Sequence, residues 1–321
     1  MNYNYVGIPM NRLLLSIGCF VTFLFGPNIV DATQEECDRK CLTGFLDTYL
    51  QALKANDSSG LPVTRNVKYT ENGVRLTLND GLWHTVSALP GYRINIIDVE
   101  AGSAGMLGII FENGMRHFFA TRLKVEKGEK ISEIENLVVR NIGGSGFQND
   151  NREQPHPMFA QKIPEGKRLS RAELISIGYS YFTGLDTDNN GSYVPFDPEC
   201  QRRENGMEMA NASDPGAGAM QKMGCKAQFD TGFSVIVTDI RERRFIADPE
   251  YGLAFAFGYF DHDGSVASYK DLTNGKTVEI SPAFRQPFSF YIAECFKVKD
   301  RRISQIEAVL TTVPYGMSSG W

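Results

Sequence analysis

The chain has 321 residues, a formal net charge of −5, and 42% hydrophobic and 22% charged residues. This composition is globular and excludes a disordered, collagenous or disulfide-dense miniprotein. The acidic balance, with no basic run, argues against nucleic acid or an anionic membrane as the main partner.

Four histidines, His84, His117, His156 and His262, share no close spacing, and the cysteines form no C-x-x-C pair. A zinc site built from neighbouring ligands is therefore not expected, and no metal is assigned.

Arg12 is the only basic residue ahead of an uncharged, mostly apolar run, Leu13 to Phe25. At 13 residues this run is too short to span a bilayer and has the form of a secretory h-region. Val30 and Ala32 supply the small residues a signal peptidase reads, so residues 1–32 are expected to be a signal peptide cleaved near Ala32. The mature protein is then secreted, with no membrane contact after cleavage.

Cleavage removes Cys19 and leaves Cys37, Cys41, Cys200, Cys225 and Cys295. Cys200 and Cys225 bracket a Gly-, Ala-, Asn- and Met-rich stretch and are expected to form a disulfide. Cys37 and Cys41 stand four apart on a predicted helix, where bonding needs local distortion, and their redox state stays open. Cys295, inside an apolar strand, reads as a buried free thiol. Three sequons, at Asn56, Asn190 and Asn211, fit secretion and glycosylation.

The mature chain reads as one pattern written twice. Thr33 and Glu36 have capping-box spacing ahead of Leu42, Phe45, Leu46, Tyr49 and Leu53; Ser170 and Glu173 repeat it ahead of Leu174, Ile177, Tyr181 and Leu185. Glu71-Asn72-Gly73 recurs as Glu204-Asn205-Gly206, and Asp98, Glu100, Gly102, Gly108 and Gly114 recur 150 residues on as Asp248, Glu250, Gly252, Gly258 and Gly264. Ile131 to Glu135 recurs as Ile303 to Glu307. Preserved order predicts tandem repeats over 33–142 and 168–321. The Gly- and Pro-rich stretch 143–167 is expected to be a linker.

Each repeat continues into strands rich in β-branched and aromatic residues, among them Tyr92 to Val99, Met115 to Val125, Leu253 to Asp261 and Phe288 to Val298. The predicted class is α+β: a helical N-terminal part packed into a curved antiparallel sheet, with Gly108 and Gly258 permitting a bend or a close backbone approach. Cys37-Asp38-Arg39-Lys40-Cys41-Leu42, Thr70-Glu71-Asn72-Gly73, Gly81-Leu82-Trp83 and the hairpin from Lys124-Val125 to Ile131 resemble an uncharacterised domain of secreted microbial proteins. That domain is similar to the cone of the SnoaL-like, nuclear-transport-factor-like superfamily. The resemblance implies a pocket between helix and sheet. The superfamily holds cofactor-independent cyclases, isomerases, dehydratases and lyases beside non-catalytic binding modules.

Chemistry-bearing residues concentrate in the second repeat. Tyr259-Phe260-Asp261-His262-Asp263-Gly264 ends a strand with an imidazole beside two carboxylates, a candidate acid/base; the first repeat has Phe111-Glu112-Asn113-Gly114 there, without histidine. Glu294, between Ala293 and Cys295 in an apolar strand, becomes an acid/base candidate if desolvated. Arg203 and Asn205 are candidates for binding a substrate oxygen, as are Tyr181 on the helix, Tyr259, and Tyr315 in a tail that ends at Trp321 and is expected to pack over a pocket or an interface. Trp83 reads as core or interface. Asp186 to Asp197 has the oxygen spacing of a calcium loop, yet Pro195 and Pro198 oppose an exiting helix, so calcium stays open.

There is no nucleophile elbow, phosphate loop or dinucleotide fingerprint. The expectation is a cofactor-independent enzyme of isomerase, lyase or cyclase type, transferring a proton within a small apolar or aromatic metabolite. His262, Glu294 and Asp261 are its catalytic candidates. The alternative is a non-catalytic ligand-binding or interaction protein. The two repeats are expected to form an internal pseudo-dimer through their sheets.

Overall fold

A computed structural model describes residues 37–140 and 154–321. The expected signal peptide, the capping residues Thr33 and Glu36, and residues 143–153 of the expected linker lie outside the described residues. The first described helix, α1 (Arg39–Ala55), begins at the N-cap Asp38, whose carboxylate accepts from the Cys41 amide at 2.8 Å. Cys37 thus precedes the helix, and the Cys37–Cys41 disulfide spans the helix start rather than one of its turns. This removes the geometric conflict expected of two helical cysteines four apart.

After α1 come β1 (Val63–Glu71), β2 (Val74–Leu76), β3 (Val86–Ala88), β4 (Arg93–Asp98), β5 (Ser103–Glu112), β6 (Met115–Glu126) and β7 (Lys130–Val139). They form a seven-stranded sheet in the order β2-β1-β7-β6-β5-β3, with β4 also on β5. The chain then runs through α2 (Arg171–Asp186), β8 (Phe196–Glu204), β9 (Met207–Ala210), the short helices α3 (Ala219–Lys222) and α4 (Cys225–Asp230), β10 (Asp239–Asp248), β11 (Leu253–His262), β12 (Ser268–Lys270), β13 (Thr277–Glu279), β14 (Phe288–Lys299) and β15 (Arg302–Val313). The second sheet has six strands in the order β10-β11-β14-β15-β8-β9, and β12 and β13 pair separately. The architecture is mixed α and β, with few helices and curled sheets resembling a half-barrel. Both sheets contain one parallel contact, β1 with β7 and β8 with β15.

The recurring Glu-Asn-Gly has a local cause. Asn72 and Asn205 take left-handed backbone conformations, φ 49° and 46°. The Asn72 side chain then bonds both backbone groups of Val138, at 3.0 and 2.8 Å, and Asn205 does the same to Leu310 at 2.9 Å. In each case an amide side chain imitates a strand and continues the parallel ladder past a tight turn. Gly108 is fixed by proximity: a Cβ there would sit 2.3 Å from the Tyr92 carbonyl oxygen.

α1 buries Leu42, Leu46, Tyr49, Leu50 and Leu53 against one face of its sheet. α2, opened by a complete Ser170/Glu173 capping box, does likewise with Leu174, Tyr181, Phe182 and Leu185. The two sheets lie in one compact unit, and their other faces meet in a third core that includes Ile96, Leu107, Phe118 and Leu137 with Phe255, Phe257, Tyr291 and Val309. Phe159 belongs to this core and the Ile163 amide donates to the Glu250 carbonyl, so residues 157–163 of the expected linker are packed rather than a free tether.

Polar groups at this junction are reciprocal. Asp98 accepts from Arg171, the first residue of α2, at 2.8 Å and from the Ala247 amide at 2.9 Å. Asp248 accepts from Arg39, the first residue of α1, and from the Ile97 amide at 3.0 Å. Both aspartates are buried and fully bonded, which is how buried carboxylates escape their desolvation cost. Glu135 joins the sheets in the same way, accepting from Arg122 at 2.9 Å and from Tyr291 at 2.6 Å and pairing with Arg244.

Candidate functional site

Between α2 and the concave face of the second sheet lies a cavity of about 230 Å³. That is several times the ~30 Å³ occupied by a water molecule in the liquid. Strand alternation decides which residues reach it. On β11, Ala254, Ala256, Phe260 and His262 share the α2-facing side, and on β14 Phe290, Ile292, Glu294 and Phe296 do so. Two insertions complete the wall. The segment after the Cys200–Cys225 disulfide brings Phe233, Ile236 and Val237, and the turn Pro282–Arg285 brings Phe284. Leu185, Met209 and Leu310 add further apolar surface.

The polar groups gather at one end. Arg202, 5% exposed, donates to Tyr181 Oη at 3.1 Å and to Gln228 Oε1 at 2.8 Å, and lies 3.0 Å from Glu204 Oε1. Beside it Glu294 is 1% exposed, and its Oε2 has no hydrogen-bond partner. Burial, reinforced by the neighbouring Glu204 carboxylate, pushes Glu294 up to about 8, against the opposing pull of Arg202 and of a hydrogen bond with Tyr181. Burial likewise drives the Tyr181 hydroxyl well above its ordinary value, so it stays protonated.

His262 stands at the opposite end. Its ring stacks on Phe288 at 4.5 Å, and Nδ1 lies 3.1 Å from the Phe260 carbonyl, an acceptor, so Nδ1 carries the proton and Nε2 is left as acceptor. Burial pushes it down to about 4, leaving it neutral at pH 7. Glu294 pairs across the ladder with Ala256 and His262 with Phe288, six positions apart on β11 (262 − 256). At ~3.4 Å per residue this separates the two by roughly 20 Å. They line one cavity but do not converge on one atom.

Tyr181, His262 and Glu294 therefore reach the cavity, and the other residues singled out from the sequence do not. Asp261 faces the other side of β11, accepting from Arg241 Nη2 at 3.0 Å and from Ser289 at 2.6 Å. Tyr259 faces the inter-sheet core, stacked on Tyr291 at 4.8 Å. Arg203 lies 3.5 Å from Glu208, Asn205 is committed to Leu310, and Tyr315 is 48% exposed. Arg202, Glu204 and Gln228 were not singled out, although Arg202 and Glu204 sit two apart on a strand and so share a face.

The side-chain amides of Asn56, Asn190 and Asn211 each donate to backbone carbonyls. At the calcium-like loop, Asp186 pairs with Arg243 and accepts from the Ile240 amide at 3.0 Å, which neutralises the first carboxylate of the pattern. Among the described residues no three His, Cys, Asp or Glu side chains gather as a metal site. Cys295 is a buried free thiol, raised well above its ordinary value by burial. No helix among the described residues is long and apolar enough to cross a membrane; this and the two disulfides are compatible with a secreted protein.

Residues 167–310, the greater part of the second half, match a domain of unknown function, DUF8021. No curated protein matches the chain. Among solved structures, the chain is similar to AclR, a proposed hydroxylase from Streptomyces galilaeus, at 13% identity and TM-score 0.30, covering 45% of this chain and 83% of that one. It is also similar to a de novo designed protein with a curved β-sheet, at 12% identity and TM-score 0.26, covering 44% of this chain and 88% of that one.

Proposed function

We propose that the protein is a secreted acid–base enzyme of isomerase, lyase or cyclase type, whose second half holds a small apolar or aromatic molecule and moves a proton through Glu294. In this reading the halves are tandem cone-shaped repeats joined back to back as an internal pseudo-dimer, the first serving as scaffold. The observation that carries the proposal is the unpartnered Oε2 of a fully buried carboxyl group, pushed up to about 8, at the polar end of an otherwise apolar cavity. A carboxyl poised near the working pH can both give and take a proton. Arg202 and Tyr181 position it, and the chemistry is carried by the chain's own side chains.

His262, roughly 20 Å along the ladder, plays no part in that transfer. The competing reading, a non-catalytic binding protein, draws on the same separation, because His262 at the far end stands too far from Glu294 to share a proton transfer with it.

The test is turnover of small aromatic and polyketide-like compounds by the purified protein, followed by mass detection. Glu294→Gln should lower the rate by about 100-fold or more while His262→Ala keeps it. A folded Glu294→Gln protein with full turnover would remove Glu294 from the mechanism, and no turnover of any compound would favour the binding protein.

A further inference from the structure

We infer that the cavity takes an amphipathic organic cation, a small molecule whose ammonium group pairs with Glu294 and whose apolar body lies against Phe290 and Phe260. The inference rests on the preceding reading of the cavity as the functional site and names the chemical class it selects.

The first argument is a count of charge. The cavity is lined by one fixed cation, Arg202, and two carboxylates, Glu204 and Glu294, while His262 at the far end is neutral at pH 7. Most of the Arg202 guanidinium is taken: its terminal nitrogens donate to Tyr181 and Gln228, and Glu204 lies 3.0 Å from its Nε as an ion pair, although that N–H makes no hydrogen bond. Glu294 is left as the carboxylate with an open oxygen and no cation of its own. An anionic ligand would meet the Glu204 carboxylate and would hold Glu294 in its neutral form, whereas a cation gives Glu294 a partner once its proton leaves.

The second argument is shape. The ladder neighbours of Glu294 on both sides are alanines, Ala256 on β11 and Ala308 on β15, and neither carries a titratable group. The titratable groups beside Glu294 are Tyr181 from α2 and Arg202 and Glu204 from β8; α4 contributes the neutral Gln228. Small neighbours leave room for a head group above Glu294. Four residues along the same face of β14, roughly 13 Å away, Phe290 pairs with Phe260, and the walls there are aromatic. One end selects a charge and the other an apolar body.

Burial pushes Glu294 up to about 8, so pairing it with a cation at pH 7 draws off a proton. Phenethylamine, 2-phenylethanol and phenylacetate, compared by calorimetry at pH 7 in two buffers of different ionisation enthalpy, read this directly. We expect phenethylamine to bind on the order of tenfold tighter than the alcohol, with release of close to one proton. Its affinity should rise about tenfold between pH 6 and pH 7, and phenylacetate should bind weakest. Glu294→Gln should abolish the preference and the proton release. Equal or tighter binding of the alcohol or the carboxylate, or amine binding without proton release, would overturn the inference and leave the cavity reading intact. Binding of none of the three would overturn both. The proton count is made on the unmodified protein, so it stands even if the variant fails to fold.

Discussion

The interiors of the two halves differ more than their sheets do. In the first, Trp83 lies edge-on to Tyr49 at 6.0 Å, Tyr49 and Asn136 exchange hydrogen bonds at 2.8 and 3.1 Å, and Thr121 stands in the strand where the second sheet carries Glu294. Its cleft of about 230 Å³ beside α1 has one charged lining residue, Arg93, which is paired with Asp47 at 2.7 Å. In the second, Tyr181 holds the helix position of Tyr49, but its partner is Arg202, and no tryptophan closes the space. A helix on a curled sheet can thus be stabilised by filling its interior, or kept hollow around one polar cluster. Among the described residues, the buried carboxyl oxygen left open belongs to the hollow form.

The contrast breaks most visibly at Trp83. Trp83→Ala should cost about 3–5 kcal/mol of unfolding free energy by emptying the first core, measured by denaturant titration, while ligand binding in the second half is unchanged. Equal loss of binding would mean that the two interiors are not independent. A smaller effect is expected at the disulfide, which anchors α4 and, through Gln228, holds Arg202 in place. The Cys200→Ser, Cys225→Ser protein should lose roughly 3 kcal/mol in the same titration. It should also bind ligand more weakly, since Arg202 is freed from one of its restraints.

Local features were legible in the sequence and register-dependent ones were not. Caps, turns and strands follow from neighbouring residues, as at Ser170 and Glu173 or in the run Leu253 to Asp261. Glu294 stood out because a carboxylate inside an apolar strand must be paired, solvated or functional. The sequence points to Arg203 rather than Arg202 because the inward face of β8 is set by its parallel pairing with β15, a contact made 104 residues later in the chain (306 − 202, Ile306 with Arg202). The distance between His262 and Glu294 depends likewise on the β11–β14 register. The 150-residue echo of Asp98 in Asp248 was visible, but its cause, an exchange of carboxylates between the halves that caps each other's strand and helix start, appears only when the sheets are packed.

The most direct test is a ¹³C NMR titration of the Glu294 carboxyl, assigned by loss of its signal in Glu294→Gln. The account predicts a midpoint near 8 in the folded protein, against an ordinary value of 4.5. Because the folded value is raised, the stabilising contribution of the proton is full below about 4.5 and is lost as pH rises through about 8. The wild type should therefore weaken relative to the glutamine variant across that window. A midpoint between 4 and 5, within the usual range for a glutamate, would show Glu294 solvated or paired and would contradict the account.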